Sequence, residues 1–359
     1  MDKVAIKPAW QFVGANGERV DPRLFELLRA IHYAGKLTVA AAQVKLSYRH
    51  AWDLLLKWSD IFGSPLVVMA RGKGAYLSPL GEKLVWAERR TDASLFPQLE
   101  NVASALNIEI NRSLKAAGQV LRLHASHGYA VEKLPLLMRA HGHAEIDLQY
   151  MGSIDALKSL AAGTCDLAGF HVPLDPMGTT LWAHYEPWLK PREQRVIRLV
   201  TRTQGFIVAR GNPHKVSSIA DLTRQGVRFV NRQKGSGTRI ILDGLLESKG
   251  IDAAQIAGYD SGEFTHAAVA AAIASGGADV GVGVEPAARQ FQLDFIPLVK
   301  ERYMLAANLP TLAQAPVKEL IELLRSEDFA ELTKGEAGYA LDEPGSVVTL
   351  REAFPWLTA

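Results

Sequence analysis

From Gln119 onward, short strand-like runs alternate with helical stretches: VLRLHAS, EIDLQYMG, DLAGFHV, RVIRLVTR, GFIVAR, VRFVNR, ADVGVGV and DFIPLV. Strands separated by helices cannot be joined by tight hairpins. They run mainly parallel, with the helices covering the sheet faces. This pattern over residues 119–359 predicts an α/β fold of two small doubly wound lobes. Lobe I is expected at about 118–202 and 298–359, and lobe II at about 203–297.

The first third reads differently. Asp21-Pro22 supplies a helix cap followed by proline at the first helical position. Leu24, Leu27, Leu28 and Ile31 then keep helical spacing up to Gly35. Thr38 is the expected cap of a second, alanine-rich helix from Val39 to Val44. Ser47 is the expected cap of a third, which carries Ala51, Leu54, Leu55 and Trp58 on its apolar side. Pro65 to Met69 reads as a strand, Arg71-Gly72-Lys73-Gly74 as a turn, and Ala75 to Leu77 as the returning strand. Helix, short helix, turn, longer helix and basic hairpin describe a winged helix-turn-helix, in which the third helix enters the DNA major groove. The expected organisation is a winged helix-turn-helix over 1–77, a linker or dimerisation helix over 78–117 and a two-lobed ligand-binding domain over 118–359.

The net charge of +2 hides an uneven distribution. Lys36 to Arg90 carries nine basic and four acidic residues, so that window is +5 and the remainder −3. A basic segment at one end suits a polyanion partner there; scattered surface lysines would give the same sum. Apolar residues make up 48% and charged residues 22%, which suits packed cores and excludes a disordered chain. No apolar run is long enough to span a bilayer, and Met1 to Gly14 lacks the pattern of a secretory signal. A cytoplasmic protein without a membrane partner is expected. The lone Cys165 can form no intramolecular disulfide or CxxC site and reads as a small buried hydrophobe.

The segment GKLTVAAAQVKLSYRHAWDLLLKWSDIFGSPLVVMARGKGAYLSPLGEKLV resembles the DNA-binding region of LysR-type regulators, and more closely their molybdate-responsive ModE branch. The resemblance covers roughly residues 20–90 and rests on SYRHAWDLL and on GSPLV…RGKGAYLSPLG. It implies that Ser47, Tyr48, Arg49 and Trp52 face DNA, with Lys57, Arg71 and Lys73 on phosphates. Trp52 has a second reading, as packing between the helix and the wing. Phosphate contacts position such a module, and base-edge contacts give sequence choice. From Ser78-Pro79, residues Leu80, Leu84, Ala87, Leu95, Leu99, Val102 and Leu106 recur at helical spacings, with a break or kink expected at Pro97. In LysR-type proteins the corresponding helix pairs two subunits; packing on its own domain is the alternative.

In doubly wound folds, ligands bind beyond the carboxyl ends of the strands. Four strand-to-helix turns are candidates. VLRLHA leads into Ser126-His127-Gly128 and a helix to about Ala140; DLQYMG leads to Ser153 and a helix from Asp155 to Ala162. VRFVN runs into Arg232-Gln233-Lys234-Gly235-Ser236-Gly237-Thr238-Arg239 and a helix from Ile240 to Leu246. Thr265-His266 heads an alanine-rich helix from Ala267 to Ala274. Hydroxyls, glycines and free amides at helix starts attract anions, and Arg232, Lys234 and Arg239 add positive charge. Each hydroxyl alone is equally a helix cap. There is no Walker A loop, and GSGTR lacks the third glycine of a dinucleotide fingerprint.

FVNRQKGSGTR, GYDSGEFTHAAVAAAIASGGADVGVGVE and LDFIPLVKERYML resemble the type II periplasmic-binding-protein-like domain of the molybdate- and tungstate-binding kind. The likeness covers roughly 119–359. It implies oxyanion recognition by Ser126, Ser153, Ser236, Gly237, Thr238 and Arg239, and places Gln204 at the inter-lobe crossover. ASHGYA departs from the hydroxyl-rich first loop of many oxyanion transporters, which keeps a larger pterin-linked anion and a small carboxylate such as formate open. Glu285 either faces the cleft or pairs with Arg289, and Trp182, Tyr185 and Trp188 lie in an aromatic excursion packing a lobe. His141-x-His143 has no further ligand nearby, so no metal site is expected, and no catalytic motif stands out.

The combined expectation is a homodimeric or homotetrameric regulator, not an enzyme, that binds double-stranded DNA and a small anionic effector. Molybdate or tungstate is the implied effector, no cofactor is required, and molybdenum-linked genes such as those of formate dehydrogenase are the implied targets. The alternative is an enzyme or cofactor-handling protein of molybdopterin metabolism with a helix-turn-helix interaction module. A transport receptor is disfavoured because no export signal is read.

Overall fold

The computed structural model describes residues 4–12, 17, 19–70, 74–113, 119–174 and 176–357. The chain divides into two compact units, Lys7–Ala93 and Met1–Ile6 with Ser94–Ala359.

In the smaller unit, α1 spans Pro22–Ala34. The Asp21 side chain accepts from the Arg23 amide at 3.0 Å, and Gly35 at φ 64° ends the helix in the left-handed conformation that glycine adopts without strain. α2 spans Leu37–Gln43; it starts at Leu37 with Lys36 in the cap position, two residues earlier than Thr38 would have placed it. α3 spans Tyr48–Phe62, and Ser47 caps it by accepting from the His50 amide at 3.2 Å. β1 (Val67–Ala70) and β2 (Gly74–Leu77) pair antiparallel, with Val67 opposite Leu77. Leu24, Leu28, Ile31, Ala40, Ala51, Leu55, Trp58, Leu66 and Ala75 form one buried core, so three helices and a hairpin share a single apolar centre. β2 is fastened to the end of α1, because the Ala75 amide donates to the Gly35 carbonyl at 2.9 Å. A Cβ at Gly74 would lie 2.1 Å from that same oxygen.

α4 spans Pro79–Ser113 and continues through Pro97, where a break or kink was expected. A proline removes one backbone donor, and Phe96 beside it packs against the core of the larger unit.

In the larger unit the strands are β3 (Val120–Ala125), β4 (Glu145–Tyr150), β5 (Leu167–Pro173), β6 (Gln194–Val208), β7 (Phe229–Arg232), β8 (Gly262–Glu263), β9 (Val280–Val284), β10 (Asp294–Asn308), β11 (Tyr339–Leu341) and β12 (Val347–Val348). Their order is β4-β3-β5-β10-β6-β9-β7-β8, with β11 and β12 on β6. β3 runs parallel to β4 and β5, and β7 parallel to β8 and β9. The expected separate strands RVIRLVTR and GFIVAR are one strand of 15 residues, and DFIPLV extends through KERYMLAAN to another of the same length. A strand of that length reaches about 50 Å, enough to belong to both halves of the sheet. β6 and β10 pair antiparallel throughout. Their Gln194–Arg202 and Glu301–Asn308 portions join β5, β11 and β12; their Gln204–Val208 and Asp294–Val299 portions join β9.

Alternation along the strands fills both faces of the first half. Leu167, Leu305 and Ala307 point to a core with Leu121, Leu123, Leu320 and Phe329. Ala168, Phe170, Met304 and Ala306 point to the opposite core with Leu157, Trp182, Tyr185 and Phe354. The aromatic excursion is thus core packing. Phe206, Val208, Phe229, Leu242, Val280 and Val282 build the second half. The helix expected up to Ala140 is two, Tyr129–Glu132 and Leu134–Ala140, divided at Lys133 ahead of Pro135. No helix among the described residues is long and apolar enough to cross a membrane.

Gly74→Ala should destabilise the smaller unit by about 1–3 kcal/mol, because the residue has φ 99° and its side chain would strike the Gly35 carbonyl. A melting curve of the variant coinciding with that of the parent would contradict this tether.

Candidate functional site

The carboxyl ends of β3, β4 and β7 carry the turns predicted from sequence, and these turns meet. They border a cavity of about 280 Å³ lined by Ser126, His127, Tyr150, Gly152 and His171 from one half, and by Arg232, Lys234, Ser236, Thr238 and His266 from the other. Helix Gly237–Ser248 starts at the cavity with Ser236 as its cap, the hydroxyl accepting from the Arg239 amide at 3.2 Å. Helix His266–Ala274 starts there with Thr265 capping the Ala268 amide at 2.9 Å.

Behind the cavity lies a buried polar layer at the point where β6 and β10 pass from one half to the other. Arg202 and Glu301 are cross-strand partners in the register, both side chains are fully buried, and Arg202 Nε donates to Glu301 Oε1 at 2.5 Å. Gln204 Nε2 donates to Glu301 Oε1 at 2.8 Å and to Thr238 Oγ1 at 3.0 Å, which ties the pair to the wall of the second half. Burial opposes ionisation of Glu301, but His171, Arg202 and the two donated hydrogen bonds outweigh it and hold its carboxyl below the usual range. Burial likewise opposes the charge of Arg202, and the adjacent Glu301 more than restores it.

His171, on β5, is the bridge between this layer and the cavity. Its Nδ1 lies 3.1 Å from Ser126 Oγ, 3.3 Å from Ser153 Oγ and 3.3 Å from Arg202 Nη2, while Nε2 faces Glu301 Oε2 at 3.6 Å. Burial pushes the imidazole down to about 3, against the pull of Glu301 and with help from Arg202 and Arg232. Ser126, His171 and Glu301 therefore have the connectivity of a nucleophile, base and carboxylate. The chemistry does not follow, because Arg202 competes for the Nδ1 lone pair and an imidazole so weakly basic cannot take a serine proton near neutrality. Gly237 permits this packing: a Cβ there would lie 2.1 Å from His171 Nε2.

Arg232 is the strongest charge on the cavity wall. Its guanidinium is buried, and its partners are all neutral: Glu263 and Phe264 carbonyls, the Gln233 side-chain oxygen and His266 Nδ1 at 3.0 Å. Among the described residues it makes no ion pair. Burial, then repulsion from Arg202, pushes it down to about 9, so it stays charged near neutrality. His266 is held well below its ordinary value by burial and by Arg232, and accepts the hydrogen bond as a neutral ring. Glu301 and Glu263 offset this only in part; a buried guanidinium without an ion pair is costly, and a ligand anion in the adjacent space would relieve it.

The expected site residues divide accordingly. Ser126, His127, Lys234, Ser236, Thr238 and His266 line the cavity. Gln204 and Ser153 lie behind it in the polar layer, and Thr265 serves as a cap. Arg239 corrects the reading: it pairs with Asp243 at 3.0 Å, donates to the Tyr259 carbonyl at 3.1 Å and lies 3.8 Å over the Tyr259 ring. Three positions into the helix, it points along the helix flank, whereas Arg232 at the strand end points into the cleft. Glu285 pairs with Arg289 at 2.7 Å and takes no part. His141 pairs with Asp328 at 2.8 Å, and no group of three or more metal-ligating side chains occurs among the described residues. Burial pushes the Cys165 thiol up to about 12, as suits an inert core residue. The missed residues, His171, Arg202 and Glu301, share one signal: polar side chains inside apolar strands, as in GFHV and KERYML.

In the smaller unit, Tyr48 is exposed and lies nearly parallel to Trp52, with ring centroids 6.5 Å apart. Trp52 is half-buried against the core, so its packing role is real. Arg49 is 91% exposed and 4.0 Å from Asp53, and Lys57 lies at 5.8 Å from the Trp58 ring. The Ser47 hydroxyl is engaged as a cap. Arg71 and Lys73 lie outside the described residues.

Glu301→Gln keeps the shape of the polar layer but leaves Arg202 buried without its counter-charge. The expected cost is about 3–5 kcal/mol, read as a lower denaturation midpoint with an unchanged slope; an unaltered midpoint would refute the role given to this pair.

A protein-family model described as the PBP superfamily domain matches residues 134–325. The Bacillus subtilis protein YvgK is 32% identical over 200 residues, 56% of this chain and 64% of that protein. The molybdenum-pterin-binding protein MopB of Rhodobacter capsulatus is 33% identical over 118 residues, 32% of this chain and 43% of MopB. The chain thus spans less than two thirds of the length of either relative. Among solved structures, CbnR, a LysR family transcriptional regulator, has a TM-score of 0.38 at 19% identity, covering 84% of this chain and 99% of CbnR. The match across 134–325 takes in the sheet from β4 to β10 and the cavity turns at Gly152-Ser153, 232–239 and Thr265-His266, with Ser126-His127 just before it, and the chain belongs to the PBP superfamily.

Proposed function

We propose that the protein is a DNA-binding transcriptional regulator of the LysR type, acting by binding and not by catalysis, whose larger unit holds a small oxyanion between the two halves of its sheet. The observation that carries the reading is Arg232, a buried cation with only neutral partners on the wall of the cavity. Hydroxyls of Ser126, Ser236 and Thr238, with the Lys234 ammonium, complete a set of donors suited to anion oxygens. A volume of about 280 Å³ lies just under the range of roughly 300–1,000 Å³ typical of drug-sized ligands, which favours a compact anion over a pterin-linked one. The printed name of MopB and the sequence resemblance support molybdate or tungstate, and control of molybdenum-linked genes such as those of formate dehydrogenase.

The smaller unit is the reading head in this proposal, a winged helix-turn-helix with α3 in the major groove. Tyr48 and Arg49 are its exposed leading residues, and a cytoplasmic location follows from that role. α4 is the pairing helix of a homodimer. Leu95, Val102 and Leu106 are exposed and Leu99 half-exposed, a run at spacings of four, three and four that suits the seam of two helices.

Calorimetry with molybdate, tungstate, sulfate and formate tests the cavity. The native chain should bind at least one of them, Arg232→Met should weaken it by about a hundredfold, and Arg239→Ala should stay within about threefold. Failure of all four anions, or equal binding by Arg232→Met with its fold intact, would overturn the reading. For the head, binding to a short palindromic duplex should weaken steeply with salt, and Arg49→Ala should lose about tenfold or more. Duplex binding insensitive to both salt and this change would remove α3 from the interface.

A further inference from the structure

α4 also supplies a wall of the cavity. Pro97, Gln98 and Asn101 line it alongside the two halves of the sheet. The helix is fixed there from both sides. Asn101 brackets Tyr150 at the end of β4, with Oδ1 accepting from the Tyr150 amide at 2.7 Å and Nδ2 donating to the Tyr150 carbonyl at 3.1 Å. Ser104 Oγ donates to Asp147 Oδ1 at 2.7 Å further along the same edge strand. On the other half, Ser94 Oγ donates to Glu263 Oε2 at 3.0 Å, on β8. Phe96 meets the rings of His127 and Tyr150 at 5.6 and 6.0 Å, which sets the rotation of the helix about its axis.

With Asn101 spent on Tyr150, the carboxamide that remains on this wall is that of Gln98. It makes no hydrogen bond to any described residue, yet it lies on the same cavity as Arg232, Ser126 and Ser236. We infer that Gln98 is a ligand-binding residue, its Nε2 donating to an oxygen of the bound anion, so that the helix begun at Pro79 touches the effector itself. This rests on the anion reading of the cavity. Its consequence is that occupancy is read by α4 directly, in addition to any movement of the two halves. Gln98 is exposed at the cavity mouth, so substitutions there leave the core untouched.

The test is calorimetry of the full chain with molybdate and with sulfate, on the native protein, Gln98→Ala, Gln98→Glu and Arg232→Met, paired with duplex binding with and without each anion. Gln98→Ala should weaken the anion that binds by about tenfold, and Gln98→Glu should weaken it further by adding a like charge at the mouth. The change in duplex affinity caused by a saturating anion should shrink in both variants. Wild-type affinity in Gln98→Ala and Gln98→Glu, together with loss in Arg232→Met, overturns the role of Gln98 and leaves the anion site standing. No binding by the native chain overturns both.

Discussion

The larger unit depends on a single buried ion pair. Arg202 and Glu301 face each other across β6 and β10 at the register where those strands leave one half of the sheet and enter the other. Taking two charges out of water is expensive unless the remaining donors and acceptors are satisfied. Here they are largely met by Gln204, His171 and Tyr339 around the pair. The interaction has two effects. It marks the crossover with a polar layer between the apolar cores of the two halves, and it cancels the charge of Arg202. Arg239 is paired with Asp243, so Arg232 is left as the buried guanidinium on the cavity wall without an ion pair among the described residues.

Neutral histidines extend the same logic. His171 and His266 each lie next to an arginine, and each is kept unprotonated by burial and by that cation. A protonated ring in either place would add repulsion; a neutral one accepts a hydrogen bond from the guanidinium and fixes its direction. Ser126 and Ser153 converge on His171 Nδ1 from two different strand ends. The hydroxyls that a sequence reader assigns to a ligand are thus partly spent in holding the wall that faces it. An acyl-transfer reading fails on the same ground, since the residues with the right connectivity have the wrong proton affinities.

Much of this was legible beforehand because local rules govern it. Asp21, Ser47, Ser236 and Thr265 cap the helices they precede, and period-two alternation located the strands. The four turns were found for the same reason, since hydroxyls and glycines after a strand have few other uses. What was hidden depends on direction and on long-range pairing. Thr203-Gln204-Gly205 reads as a break, yet β6 continues through it, because Gly205 lets the Ile296 carbonyl approach where a Cβ would lie 2.3 Å away. β10 was read only as far as Val299, and its register shifts beside Pro297 to accommodate a residue that cannot donate to the ladder. Arg232 and Arg239 flank the same glycine-rich turn in sequence; only the fold shows that Arg239 is on a helix flank beside Asp243 and Arg232 at the end of a strand.

The two rims of the cleft meet closely. Gly152, before helix Ser153–Ala161, and Gly235, after β7, approach so that a Cβ on Gly152 would lie 2.8 Å from the Gly235 carbonyl. A larger residue at Gly152 would hold the rims apart. Free energy from binding can bias an equilibrium between separated and joined halves only through contacts that differ between the two arrangements. Ser126 and Tyr150 on one half and Arg232 and Ser236 on the other meet this condition, because no ligand can touch both sets unless the halves are joined. A cavity lined from one half alone would bind a ligand with no conformational consequence. A donor set divided between the halves is therefore what would let the proposed site report occupancy.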